Sequence, residues 1–159
     1  MNNLFKAGTE YGKSSADVVV AAPRADVFEA CRDVTGWKRF MPAVLDAEFV
    51  SPADQDGDEV VRITARANED THTWESARHV SPDLDVIRFV RLGPQAPLLK
   101  MEGVWRFTDF EDGTRVTLSH SFAAQTAESR DFFLNACKSN ACTDLDGLRR
   151  LFETPEPTA

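Results

Sequence analysis

Between Asp46 and Ser121 the hydropathy pattern has a period of two residues, which limits this chain to a sheet-dominated fold. The spacing predicts strands over Leu45–Val50, Glu59–Ala67, Thr71–Val80, Val86–Leu92, Lys100–Phe107 and Arg115–Phe122. Their separators are rich in turn-forming residues: Asp54-Gln55-Asp56-Gly57-Asp58, Ala67-Asn68-Glu69-Asp70, Ser81-Pro82-Asp83 and Glu111-Asp112-Gly113. Strands that follow one another over such short connections pair antiparallel, as a meander.

The flanks have a different period. Asp17 to Ala21 reads as a first strand, and Pro23 then introduces a helix through Arg24–Cys31 whose apolar face is Val27, Phe28, Ala30 and Cys31. Gly36 is expected to break that helix, and a second short one, Trp37 to Met41, ends before Pro42. After Ala124, the residues Leu134, Cys137, Ala141, Leu145, Leu148 and Phe152 recur at helical spacing, one apolar stripe over about five turns. Pro155 and Pro157 close it. The expected class is α+β: a curved antiparallel sheet of about seven strands wrapped on a long C-terminal helix. At 159 residues the chain fits one domain that buries roughly two thirds of its unfolded surface. It divides into an N-terminal extension (1–15), a domain (16–153) and a flexible tail (154–159). One helix fills the concave side of so wide a sheet incompletely, so an internal cavity is expected.

Charge narrows the function. A net charge of -8 and a pI near 4.9 argue against nucleic-acid binding, which needs a concentrated basic surface. No stretch approaches the roughly 18 apolar residues of a membrane span, and Met1–Gly12 lacks the features of a signal peptide. Cys31, Cys137 and Cys142, an odd count, read as reduced thiols in a cytoplasmic protein. Cys137 and Cys142 make no metal pair with a nearby histidine and read as half-buried small side chains. Oligomeric state is open, a homodimer included.

The chemistry concentrates on His72-Thr73-Trp74-Glu75-Ser76-Ala77-Arg78. On a strand, Trp74, Ser76 and Arg78 share one face. If that face lines the cavity, it offers an aromatic wall and a permanent cation for a carbonyl or enolate oxygen. The alternative is an arginine paired with Glu75 or another carboxylate, although Glu75 points the other way. His120 lies between Leu118 and Phe122 on one strand face, and is either an inward-facing acid–base group or a core residue. Asn140 and Asp144 stand one turn apart beside the helical stripe. Asp144 is placed to orient His120, to bind a substrate hydroxyl, or simply to mark the stripe's boundary. Arg62 and Arg66 share a face and, like Arg91, are candidates to cradle ketone oxygens, solvated or salt-bridged heads being the alternative. Trp37, Phe89, Met101 and Trp105 are expected in the wall.

The order of elements resembles the helix-grip fold of START and Bet v 1-like proteins. Within it, Val34-Thr35-Gly36-Trp37, Trp74-Glu75-Ser76-Ala77-Arg78, Phe89-Val90-Arg91, Met101-Glu102-Gly103-Val104-Trp105-Arg106-Phe107 and the run from Thr114 to Phe122 resemble the aromatase/cyclases of bacterial type II polyketide synthases. The resemblance implies an enzyme that folds a poly-β-ketone carried by acyl carrier protein, closes a ring by intramolecular aldol addition, and assists loss of water. It implies minimal polyketide synthase components as partners, and neither metal nor redox cofactor. It puts the pocket arginine at Arg78, an aromatic neighbour at Trp74 and polar pocket residues on the last helix. Where some members carry a tyrosine, this chain has Ala43-Val44. A non-enzymatic carrier or sensor of a hydrophobic small molecule is the alternative.

Overall fold

Along the third strand Glu59, Val61, Ile63 and Ala65 are buried while Val60, Arg62 and Thr64 are half-exposed, the alternation of a sheet with one covered face. The computed structural model describes residues 8–67 and 69–153. Seven strands form one antiparallel sheet: β1 (Glu10–Val20), β2 (Val44–Ser51), β3 (Asp58–Ala67), β4 (Asp70–Val80), β5 (Val86–Leu92), β6 (Leu98–Phe110) and β7 (Gly113–Ala124). Their spatial order is β1-β7-β6-β5-β4-β3-β2, so the meander from β2 to β7 is continuous and only β1 is out of sequence, pairing with β7. The segment from β1 to β2 therefore crosses from one edge of the sheet to the other. It carries α1 (Arg24–Arg32) and a 3-10 turn (Val34–Arg39). The long helix α2 (Ala127–Leu151) follows β7 and packs chiefly on β1 and β7.

The apolar stripe of α2 does two jobs. Its N-terminal half joins Cys137, Phe133 and Leu134 to Leu98, Phe122 and Met101. Its C-terminal half sends Ala141, Leu145 and Leu148 into the larger core with Val27, Phe28, Cys31, Ile87 and Phe107. The helix starts at a reciprocal cap, in which the Ser129 amide donates to Thr126 Oγ1 at 3.0 Å and the Thr126 amide to Ser129 Oγ at 3.0 Å. Among the described residues no helix is long and apolar enough to cross a membrane.

Two local expectations are corrected. The first strand begins at Glu10, not Asp17, and pairs with β7 along its whole length, from Glu10 opposite Ala124 to Val20 opposite Thr114. Its early part, with Gly12, Ser14 and Ser15, has no apolar run; the edge of β7 and the cover of α2 impose the extended state. Residues 10–15, read as an extension, thus belong to the sheet. The chain also turns at Asp33 rather than at Gly36: the Asp33 carboxylate accepts from the Thr35 amide at 3.1 Å and from Thr35 Oγ1 at 2.6 Å. The 3-10 turn then runs through Gly36 and replaces the helix expected over Trp37–Met41. The tail 154–159 lies outside the described residues.

Candidate active site

The concave side of the sheet encloses a cavity of about 180 Å³ between the strands, the 3-10 turn and α2. Its walls are mostly apolar: Trp37, Met41, Val61, Ile63, Trp74, Phe89, Trp105 and Leu118. Trp37 and Trp105 lie with ring centroids 6.2 Å apart. Ala43 and Val44 also line it and add a small apolar surface. Five polar side chains interrupt the lining: Ser76, Arg78, His120, Asn140 and Asp144.

Arg78 is held rigidly. Register between β3 and β4 sets Glu59 directly opposite it, and the two are 4% and 3% exposed. Arg78 Nε donates to Glu59 Oε2 at 2.7 Å, and Nη2 lies 2.6 Å from the same oxygen. Nη1 donates to the Cys31 carbonyl at 3.2 Å and Nη2 to the Arg32 carbonyl at 2.6 Å. These carbonyls end α1, where helical oxygens lack internal partners and the helix dipole favours a cation. The Trp37 indole, 5.8 Å from the guanidinium, also donates to the Cys31 carbonyl. Burial pushes the Arg78 guanidinium below its ordinary value, and the Glu59 carboxylate works against that. The carboxylate partner is therefore Glu59, while Glu75 pairs with Arg62 on the opposite face.

His120 and Asp144 face the same space from β7 and α2. Burial lowers the His120 imidazole to about 4, so it is neutral at physiological pH. Its Nδ1 is buried without a hydrogen-bond partner, which means Asp144 does not orient that nitrogen. The ring meets Phe89 edge to face at 5.7 Å. Gly103, opposite both on β6, makes this contact possible, since a Cβ there would run into the Phe89 ring. Burial raises the Asp144 carboxyl to about 7, so near neutrality a large fraction keeps its proton. The site thus sets a fixed cation, an unprotonated imidazole and a carboxylic acid around one apolar space.

Three expected site residues stand elsewhere. Arg62 is on the outer face of β3, where its Nη1 and Nη2 lie 2.8 Å from Glu48 and 2.8 Å from Glu75. Arg66 is exposed on that same face. With Val61, Ile63 and Ala65 inside, the two-residue period leaves positions 62 and 66 outside. Met101 packs into the cluster of Leu98, Phe122 and Cys137 rather than the cavity wall. Glu59 and Met41 were not among the sequence candidates. Glu59 becomes visible once the β3–β4 register is known; Met41 carries no signal beyond its hydrophobicity. Among the described residues, no group of three His, Cys, Asp or Glu side chains is arranged to hold a metal ion.

A family model described as polyketide cyclase/dehydrase and lipid transport matches residues 12–153. The chain belongs to that family. The resemblance carried by the Trp74–Arg78 and Met101–Phe107 motifs is thereby borne out. A bifunctional cyclase/dehydratase of the actinorhodin polyketide synthase of Streptomyces coelicolor is 29% identical over 136 residues, 86% of this chain. The chain spans 42% of the length of that relative. Among solved structures, the Zhui aromatase/cyclase of a Streptomyces species superimposes with a TM-score of 0.80 at 24% identity, covering 89% of this chain and 93% of that one. A START superfamily protein of Mycobacterium smegmatis superimposes with a TM-score of 0.71 at 12% identity, covering 89% and 99%. These likenesses establish the helix-grip fold of this cyclase/dehydrase family member.

Proposed function

We propose that this protein is a polyketide aromatase/cyclase acting in the cytoplasm on a poly-β-ketone tethered to acyl carrier protein. The observation that carries the reading is the convergence of Arg78, His120 and Asp144 on one otherwise apolar cavity. A passive carrier of a hydrophobic molecule has no use for three ionisable groups in its lining. The name of the Streptomyces coelicolor relative, a cyclase/dehydratase, supports the same reading.

In this mechanism Arg78 holds a ketone oxygen of the chain through the one Nη1 hydrogen that Glu59 and the two α1 carbonyls leave over, and the neutral His120 takes a proton from the methylene between two carbonyls. The carbanion carbon attacks a second carbonyl further along the chain. One carbon–carbon bond forms, and the attacked oxygen receives the Asp144 proton to become a hydroxyl. The Asp144 carboxylate then takes a neighbouring carbon-bound proton while the His120 imidazolium gives its proton to the departing hydroxyl. Water leaves, both groups are restored, and enolisation of the ring ketones completes the aromatic ring. Apolar walls hold the reacting carbons together, which substitutes for a large entropic cost. The size of the space sets the scale of the product. An apolar cavity of roughly 150 Å³ accommodates benzene, so about 180 Å³ holds one six-membered ring with its oxygens. The remaining chain extends towards the exposed Asn140.

Reconstitution with a minimal polyketide synthase tests this directly. Adding the protein converts the mixture of spontaneous cyclisation products into one aromatic product, and Arg78→Ala restores the mixture. An unchanged product profile with folded protein refutes cyclase activity.

The acid and base assignments fix the pH response. The yield of the single product falls above about pH 7, where Asp144 loses its proton, and below about pH 4, where His120 gains one. Asp144→Asn abolishes the upper limb and lowers the rate by about 10²–10⁴. Stability carries matching signs. As pH rises from about 4 towards 6.5, the depressed His120 makes the fold more stable, because over that range the unfolded state binds the extra proton. The raised Asp144 does the reverse between about 4 and 7, so Asp144→Asn leaves a stability that climbs with pH. Denaturant titrations at several pH values read this slope.

A further inference from the structure

Among the described residues, Arg91 has no ion-pair partner. It sits on β5 with its side chain on the same face as Phe89, directly opposite Ser76, and both of those residues line the cavity. Its guanidinium carbon lies 4.8 Å from the centroid of the Trp74 ring, which forms part of the cavity wall. The Arg91 Nε is buried and has no hydrogen-bond partner among the described residues. Burial lowers the guanidinium from its ordinary value, and no neighbouring charge contributes. Arg78, by contrast, is compensated by Glu59 and by the two α1 carbonyls. Arg91 is half-buried as a whole and stands beside the cavity lining, and its buried Nε, an N–H without an acceptor, costs free energy. A ligand that accepts from it would remove that cost. The flat fork of the guanidinium suits two oxygens in one plane, and its stacked position on Trp74 fixes that plane.

We propose that Arg91, stacked on Trp74, binds the enolate of a β-diketone unit through both of its oxygens, at a station separate from Arg78. This rests on the cyclase reading, because a poly-β-ketone presents such a unit at every second carbon. The enolate forms by loss of the central methylene proton to solvent, and its negative charge, shared by two coplanar oxygens, has the shape of a carboxylate. One station would hold the segment being closed, at Arg78. The other, at Arg91, would hold a neighbouring diketone unit flat against Trp74 and so set which carbons meet.

Benzoylacetone is the probe, because its enolate absorbs at a longer wavelength than its neutral form. Titrated into the full chain at fixed neutral pH, it binds with quenching of tryptophan fluorescence, and the bound probe shows an increased enolate band. Arg91→Gln loses that band and weakens binding by tenfold or more, and Arg91→Lys recovers only part of both. The analogue whose methylene hydrogens are both replaced by methyl groups forms no enolate there and binds wild type and Arg91→Gln equally. Matching thermal melts for the three proteins exclude a folding defect. An unchanged spectrum and affinity in Arg91→Gln overturn the proposal, as does loss of the band in Arg78→Met but not in Arg91→Gln, or absence of probe binding to the wild type. The product assay separates this from the cyclase reading. A single aromatic product together with an Arg91-independent spectrum leaves the cyclase standing without this station. An Arg91-dependent band with no change of products keeps the anion site and removes the cyclase.

Discussion

Glu59→Ala is expected to lower the free energy of unfolding by about 3–5 kcal/mol, because it leaves the Arg78 cation buried without its counter-charge. For a domain of this size that is a fall in melting temperature of roughly 6–20 °C. The two side chains are 1% and 2% exposed, so solvent cannot replace the lost partner without opening the core. Glu59→Gln retains the shape and one acceptor, and its loss is smaller. The double variant Glu59→Leu/Arg78→Met removes both charges and recovers most of the stability, since a buried ion pair is worth little more than an apolar pair of the same volume. Under the proposed mechanism it recovers no cyclisation, because Arg78 is the cation assigned to hold the ketone oxygen. Urea denaturation of these proteins, together with the single variants Glu59→Leu and Arg78→Met that close the cycle, measures the coupling. A Glu59→Ala loss below about 1 kcal/mol would show that water reaches this pair.

Gly147→Ala is the second large effect, and its sign opposes the usual one. In an open helix interior the change from Gly to Ala gains up to about 1 kcal/mol. Here α2 crosses so close to the loop after the 3-10 turn that a Cβ at position 147 would collide with the Phe40 carbonyl oxygen. Backbone cannot step aside as the end of a side chain does, so the helix or the loop must shift, and a loss of about 1–3 kcal/mol or more is expected. The consequence reaches the site. Met41 follows Phe40 and lines the cavity, and Asp144 lies one turn before Gly147 on the same helix. Thermal melts and the product profile of Gly147→Ala test both parts. A variant more stable than wild type would mean that the helix and loop are not locked together.

Much of the architecture was legible because its cause is local. The two-residue alternation from Asp46 to Ser121 and the helical stripe from Leu134 to Phe152 each arise from the geometry of one element, and both elements are found where the pattern puts them. The cavity-facing set Trp74, Ser76 and Arg78 is legible for the same reason. The alternation of Val61, Ile63 and Ala65 also assigned Arg62 and Arg66 to the outer face, and reading them as pocket residues gave their charge more weight than their parity. Gly36 looked like the helix breaker because glycine is costly in helices, yet the Asp33 carboxylate supplied a stronger stop one turn earlier.

What the sequence alone determined about this protein is the class of fold, its family, and the strand faces from which Arg78 and His120 project. A strand's two faces and a helix's stripe are properties of consecutive residues, and the sequence states them directly. Only the tertiary structure decided which groups are paired and which are free. Glu59 meets Arg78 because Ala67 pairs with Asp70, which fixes every other partner along β3 and β4. Arg91 lies against Trp74, and among the described residues burial alone, with no neighbouring charge, acts on its guanidinium. The ionisation of His120 and Asp144 was decided in the same way. Burial between distant segments, and not the neighbours of either residue in the chain, raises the Asp144 carboxyl to about 7 and lowers the His120 imidazole to about 4, so that near neutrality the first keeps much of its proton and the second carries none to spare.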